Sequence, residues 1–383
     1  MLTRVPTQEA PDFPRDPPGD AAVLKPSIFD SALFIRAWHG HLLRSEQAWD
    51  LAFPTTVSDR GFAAPLILHR ERHLGREIRA LRPTAWGPAF SSSPCIPLDS
   101  AHLERLVQHL LGQRYGWDTL ELALTLDSLD AAHGILRRLE DDGLHLVRYG
   151  HLIRPYVRFG IPWEVYYRQR SKSFRNDITR LFYRMERSGG LRVSCAAGSE
   201  AVDALESLFE FHQKRWGRRG QTSHYSRDYE RNFMKALARE GTSDHGLWVY
   251  SRALGEQVIA SAASLVEGRR MQYYETSFDP EFSEFSPGKV LVHCIVRDAH
   301  EKGFEEVDFG PGIDGHCGYK RWWSNGQYIE CRMLFAHSRL VESWLRAALW
   351  SEPRIRSAKS GAKTLLRRLG SRDIHLEPTR VKH

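Results

Sequence analysis

The stretch that decides the fold begins Arg269-Arg270-Met271-Gln272-Tyr273-Tyr274-Glu275-Thr276-Ser277-Phe278-Asp279-Pro280. It continues through Ser286-Pro287-Gly288-Lys289-Val290 and Val307-Asp308-Phe309-Gly310-Pro311-Gly312, and ends on Tyr319-Lys320-Arg321-Trp322-Trp323. The pattern reads strand, acidic turn, helix start, helix over 288–302, strand over 306–309, then a glycine loop. A strand that delivers the chain into an open helix N-terminus makes an anion site, because first-turn N–H groups have no intrahelical acceptor and the dipole adds to them. Ser286 is expected to cap, Pro287 to take the first helical position and Gly288 to let a ligand approach the backbone. The amides of Gly288, Lys289 and Val290 should then be free, with Lys289 adding charge. The motif is either a pyrophosphate cradle or an ordinary capped helix.

Period-two alternation puts Tyr273, Glu275 and Ser277 on one face of the strand and Tyr274 and Thr276 on the other. That face is a cleft wall or a hydrated edge. Asp308 ends a strand before a glycine turn, the usual place for an active-site carboxylate in open α/β sheets. Tyr319-Lys320 and the Trp322–Trp323 pair bring donors and rings just past it, as substrate contacts or as core caps. Asp308-Phe309-Gly310 matches a kinase triplet, but no glycine-rich loop, Val-Ala-Ile-Lys strand or His-Arg-Asp loop accompanies it.

Upstream, Ser171 to Arg187 spaces Phe174, Ile178, Leu181 and Met185 as one apolar helix stripe, with Arg180, Arg184 and Arg187 on another face. Ser188-Gly189-Gly190 stops it. A helix follows over Val202–Trp216, with Leu205, Leu208, Phe209 and Trp216 inward. Gly246–Arg252 and Gln257–Glu267 form a hairpin about Leu254-Gly255-Glu256. The order here is helix, helix, three antiparallel strands, helix, strand.

Residues 1–27, rich in Pro, Asp and Ala, read as disordered. Residues 28–160 mix helices over Asp30–Leu43, Leu103–Arg114 and Ala131–Asp142 with strands at Pro65–Leu68, Ile78–Leu81 and Trp117–Leu126. The last of these alternates as though one face were buried. His69 and His73 are spaced like helix metal ligands, but the run Leu66–His73 turns from apolar to charged and reads as a turn, so no metal is expected. Residues 338–383 start as an apolar helix with Trp344 and Trp350. They then turn basic (Arg354, Arg356, Lys359, Lys363, Arg367, Arg368, Arg372), as a solvated tail or as a peripheral contact to an anionic membrane.

The 383 residues carry 42% hydrophobic and 26% charged side chains and a net charge of +7, which fits a globular chain of two or three domains with anionic partners. Cys95, Cys195, Cys294, Cys317 and Cys331 are scattered and odd in number, which argues against a disulfide framework or zinc ribbon and favours a reducing, cytoplasmic setting. Neither a signal peptide nor a membrane-length apolar run is visible.

Together, Ser171-Lys172-Ser173-Phe174-Arg175, Leu208 through His212-Gln213-Lys214-Arg215-Trp216, Ala260-Ser261-Ala262, Tyr274 through Pro280, Ser286-Pro287-Gly288 and Asp308-Phe309-Gly310 with Tyr319-Lys320 resemble a known family. It is the GNAT-superfamily acetyltransferase group that includes CelD-like and BioF2-like proteins, itself similar to the FemABX peptidyltransferases. The detailed match covers about Tyr167 to Trp323. The resemblance implies an α/β (α+β) fold of tandem GNAT-like mixed sheets flanked by helices. Residues 28–160 would be a degenerate first half, 161–337 the acyltransferase domain and 338–383 a basic tail. It also implies acetyl-CoA or another acyl-CoA as donor and an amine or hydroxyl acceptor, with direct attack and no covalent enzyme intermediate, and a place in cell-envelope or exopolysaccharide synthesis. Ser286, Gly288, Lys289 and Val290 would hold the pyrophosphate. Asp308 would be the base, with Tyr274 or Tyr319 protonating the thiolate. Arg175, Trp216, Glu275, Lys320 and Trp323 would be substrate contacts. The chain departs from the usual Arg/Gln-x-x-Gly-x-Gly/Ala loop, with Ser-Pro-Gly-Lys in its place. That keeps open a Fem-like aminoacyl-tRNA donor, with the Arg180, Arg184 and Arg187 face as its footprint, or a non-catalytic scaffold.

Overall fold

Strands and helices alternate along the chain as its apolar period switches between two and near four. The computed structural model describes residues 31–41, 50–51, 66–83, 116–126, 129–242, 244–311 and 318–351. Among these the strands are β1 (Asp50–Leu51), β2 (Leu66–His73), β3 (Arg76–Pro83), β4 (Thr119–Leu126), β5 (His145–Arg158), β6 (Leu191–Ala196), β7 (His245–Leu254), β8 (Gln257–Glu267), β9 (Arg270–Phe278), β10 (Glu306–Asp308) and β11 (Gly326–Ala336). The helices are α1 (Ala32–His41), α2 (Leu129–Asp141), α3 (Trp163–Arg168), α4 (Lys172–Arg187), α5 (Ser199–Gly217), α6 (Asp228–Arg239), α7 (Pro287–Glu301), α8 (Lys320–Trp323) and α9 (339–351).

All the strands join one mixed 11-stranded sheet in the order β1-β2-β3-β4-β11-β5-β10-β9-β8-β7-β6. The expected mixed α/β architecture is present, with the two halves continuous through the β5–β10 pairing. β11 lies between β4 and β5, so the sheet runs across the boundary expected near residue 160. The sequence reading missed β5, β6, β11 and α6, whose polar and aromatic residues blur the apolar period.

One face of the sheet carries α2, α3, α4 and α7. There Phe174 and Ile178 of α4 pack with Leu291, Val292 and Ile295 of α7 over Met271, Tyr273 and Val307. The other face carries α1, α5 and α6, with Leu205, Leu208, Phe233 and Leu237 over Leu247, Val249, Ala263 and Leu265. α9 covers the far end of that second face through Val341 and Leu345 on Leu334 and Ala336. The α4 stripe is buried as expected, each side chain adding roughly 1.5–3 kcal/mol by leaving water.

Several local readings change. β4 is buried on both faces rather than one, with β3 and β11 on its two edges and α2 over the Leu120, Leu122, Leu124, Leu126 side. The charged run to His73 is strand, and the turn comes one residue later at Leu74-Gly75, both with positive φ (47° and 82°). That is the conformation a two-residue hairpin requires. His69, Glu71 and His73 share a face there, and Arg82 bridges Glu71 and buried Glu121 at 2.9 and 2.8 Å. The expected helix at Leu103–Arg114, the segment 1–27 and the basic tail beyond residue 351 lie outside the described residues, as does Gly312.

Candidate active site

β9 and β10 run parallel for only three rungs, ending at Asp308 opposite Gln272. β10 then stops while β9 continues to Phe278. A parallel pair that parts company leaves a wedge between its strands, open toward their carboxyl ends. The first turn of α7 follows the far end of β9 through the 3₁₀ turn Pro280–Phe285.

At the α7 start only part of the expected cradle forms. Ser286 sits at the N-cap in the left-handed region (φ 47°, ψ 51°) and its side chain makes no capping bond, which corrects the expectation that it caps. The amides of Lys289 and Val290 are also not free, since both donate to the Ser286 carbonyl at 3.0 and 3.4 Å. Val290 itself is fully buried. Pro287 has no N–H, so the Gly288 amide is the open donor of this turn among the described residues. A Cβ on Gly288 would meet only Phe278 Cδ1 at 3.6 Å.

Lys289 turns away from the wedge. Its ammonium pairs with Asp177 of α4 and lies 4.3 Å from the Trp322 ring centre. Arg215 shares a neighbour with Gly288: its guanidinium lies over the Phe278 ring at 5.4 Å and has no carboxylate partner among the described residues. The Gln213-Lys214-Arg215 triplet gave no sign of this, because the face of a helix that meets a ligand depends on where the helix docks.

Asp308 reaches the end of its strand as expected, but both of its oxygens are engaged. Oδ2 accepts from Arg154 Nε at 2.6 Å and Oδ1 from the Gly310 amide at 2.7 Å. Arg154 is buried and also meets Glu330 and Gln272, so Asp308 belongs to an ion network under the sheet face. Both carboxylate oxygens are thus spent on tying β5 and the turn after β10 together.

Glu275 differs because of a bulge. β8 and β9 pair Ala263 with Glu275 but Ser264 with Tyr273, leaving Tyr274 as the extra residue. The bulge breaks the expected alternation. Tyr273 faces α7, while Tyr274 and Glu275 both face α5 and α6. Tyr274 is therefore in that helical core rather than beside the wedge. Glu275 is half-buried, and its single hydrogen bond runs from the Thr276 amide to Oε1. Burial pushes its carboxyl up to about 7. The ligand atoms of His212, His224 and Glu275 lie within 4.8 Å of one another. Burial pulls the two imidazoles down, His212 to about 3 and His224 to about 4, so both are neutral at neutral pH.

On the opposite side of the bulge the Tyr273 and Tyr319 hydroxyls are 3.3 Å apart, both raised by burial. Lys320 does not reach into the wedge. It ties the loop after β10 by donating to the carbonyls of Phe309 (2.6 Å) and Pro311 (3.2 Å). Trp323 is fully buried, edge-on to Phe174 at 4.4 Å, and its carbonyl accepts from the buried Tyr166 hydroxyl, which makes it core rather than a substrate contact. Trp216 is half-buried and stacks on His212 at 5.5 Å. Arg175 lies on α4, away from this group, where it flanks Tyr167. Of the expected residues, the fold gathers Gly288, Tyr319 and Glu275 around the wedge. Tyr273, His212, His224 and Arg215 join them without having been anticipated.

Residues 172–321 match a family model described as an acetyltransferase (GNAT) domain. Among solved structures, FemX is similar at 13% identity over 82% of this chain and 93% of its own, with a TM-score of 0.57. The C-terminal domain of an Agrobacterium fabrum protein assigned as a lysylphosphatidylglycerol synthetase is similar at 12% identity over 85% and 92%, with a TM-score of 0.50. No curated protein matches the chain. The fold is GNAT-like and FemABX-like. No helix among the described residues is long and apolar enough to cross a membrane.

Proposed function

We propose that the chain is an acyltransferase that carries an acyl group from a CoA thioester to an amine, or to a hydroxyl, entering from the α5–α6 face. The observation that carries this reading is the wedge itself. β9 and β10 part beside the Tyr273–Tyr319 hydroxyl pair, and the open Gly288 amide at the end of β9 offers a phosphate contact that Arg215 can supplement. A donor laid along the wedge would place its thioester at the bulge, between the two faces of the sheet.

Direct attack needs a base on the acceptor side and a proton donor for the departing thiolate. Glu275 takes the first role in preference to Asp308, because among the described residues its carboxylate carries one hydrogen bond and no ion pair. Tyr319, backed by Tyr273, takes the second. Glu275→Gln is expected to lower turnover by about 100-fold or more with donor binding intact, whereas Asp308→Asn acts mainly by loosening the Arg154 network. Equal turnover in wild type and Glu275→Gln would remove Glu275 from the reaction.

The donor class is tested by thermal shift with acetyl-CoA, longer acyl-CoAs and CoA. A ligand at 100 times its Kd adds about 2.7 kcal/mol, several degrees in melting temperature. No shift, with salt-sensitive binding of aminoacyl-tRNA instead, would replace the CoA reading with a Fem-like one. Against that footprint, Arg180 pairs with Asp177 and Arg184 with Glu284, which leaves Arg187 of the three without an ion pair among the described residues. The natural acceptor, a role in cell-envelope or exopolysaccharide synthesis, a cytoplasmic setting and peripheral membrane contact remain proposals that follow from the reading.

A further inference from the structure

His212 comes from the middle of α5, His224 from the 3₁₀ turn His224–Ser226 and Glu275 from the bulge of β9. These separate elements bring three side chains to one point, on the α5–α6 side of the sheet. The His212 ring is buried at 3% exposure and fixed on one side, its Nδ1 lying 2.8 Å from Ser223 Oγ. Ser223 Oγ also accepts from the Tyr225 amide at 3.1 Å, so the hydroxyl is itself anchored. Three converging groups then lack a hydrogen-bond partner among the described residues: His212 Nε2, the ring nitrogens of His224, and Glu275 Oε2. None of these atoms is fully enclosed, so the group can be reached from solvent by an ion.

We propose that His212, His224 and Glu275 form a site for a borderline divalent cation of the Zn²⁺ type. Two imidazoles and one carboxylate suit Zn²⁺ or Co²⁺ and are a poor set for Mg²⁺ or Ca²⁺, which demand more oxygen ligands. The ligand atoms already lie within 4.8 Å of one another, so small side-chain rotations bring all three to one ion. Binding selects the tautomer in which His212 Nδ1–H donates to Ser223 Oγ and Nε2 presents its lone pair, the outer-shell arrangement that orients a ligating histidine. With three protein ligands the fourth position is open. The nearby positive charges of Arg215 and Lys320 act on Glu275 and temper the affinity. The site stands on binding alone. Its consequence for catalysis rests on the proposed function: an ion on Glu275 takes the lone pair a base would use, so the metal would be a brake on acyl transfer.

The test is a titration of the full-length, chelator-treated chain with Zn²⁺ against a chromophoric chelator, with Co²⁺ absorption as the second readout and no acyl donor present. One ion per chain is expected, undisplaced by Mg²⁺ or Ca²⁺. His224→Gln and Glu275→Gln should weaken it roughly 100-fold or more, and Ser223→Ala roughly 10-fold. His224 is half-buried, so its variant is expected to fold where a change at core His212 could not be relied on to do so. The absence of a stoichiometric site, or a site unchanged in both ligand variants, overturns the proposal. Turnover unaffected at full occupancy would leave the site standing and remove Glu275 as the base.

Discussion

Helices α4 and α7 both start on a serine, and these two serines behave differently. At α4, Ser171 has extended backbone angles and its hydroxyl accepts from the Phe174 amide at 3.2 Å, the bond expected of an N-cap. At α7, Ser286 is left-handed, makes no side-chain cap and leaves the Gly288 amide open. The first start satisfies itself, and the second stays incomplete where a phosphate is expected. What separates them is the approach. The 3₁₀ turn Pro280–Phe285 enters Ser286 with a reversal of hand, whereas Ser171 continues an extended lead-in. A helix start built for stability and one built for binding can carry the same cap residue, and the backbone angle tells them apart.

The largest effect that would break this comparison is at Gly288. Gly288→Glu puts an anion at the second position of α7, where the helix dipole welcomes it and only Phe278 is near, so the fold should hold. The donor-dependent thermal shift of about 2.7 kcal/mol at 100 times Kd should vanish. A retained shift would move the donor away from α7. Next in size, Ser171→Ala should cost about 1 kcal/mol in denaturant unfolding and leave donor binding unchanged. If instead it weakened donor binding, the two starts would not be divided into stability and binding as argued.

The smallest effect sharpens the link between them. Lys289 of α7 pairs with Asp177 of α4, joining the two helix starts directly. A double-mutant cycle on Asp177→Asn and Lys289→Met should give a coupling of about 0.5–1 kcal/mol. The hydrogen bond from Lys289, with help from Arg180, holds the Asp177 carboxyl below its ordinary value of 3.8. A depressed carboxyl stabilises the fold above its unfolded value, and that contribution is lost as pH falls through the folded one. The stability gap between wild type and Asp177→Asn is therefore full above about pH 4 and closes below it. A gap that persists at lower pH would mean that packing, not charge, separates the two proteins.

Much of the frame was legible because it is periodic. The four-residue stripe on α4, the β7–β8 hairpin and the β9–α7–β10 order all follow from apolar spacing and turn residues. The site was legible only in position, not in role: Gly288 lies in the first turn of α7 and Asp308 ends β10, as expected. It was not legible where a role depends on a distant partner. Nothing near Asp308 announces Arg154, which lies in a strand the apolar pattern does not mark, and nothing near Lys289 announces Asp177. The bulge at Tyr274 was hidden for a related reason. Alternation assumes one residue per rung, and the extra residue exists only relative to β8. His212 and His224 looked unremarkable in sequence because α5 and a 3₁₀ turn bring them to Glu275 only after docking.

The placement of β11 bears on how the molecule is made. Its partners β4 and β5 leave the ribosome long before it, yet they flank it with a gap between them that nothing earlier in the chain fills. At about 5–20 residues per second, the interval between the end of β5 and the end of β11 is roughly ten to forty seconds. For that time the nascent chain holds two unpaired strand edges and the apolar side chains of β4. A chain cut off after β5 and before Gly326 would therefore keep those edges open, and an aggregation-prone fragment is expected rather than a smaller folded protein.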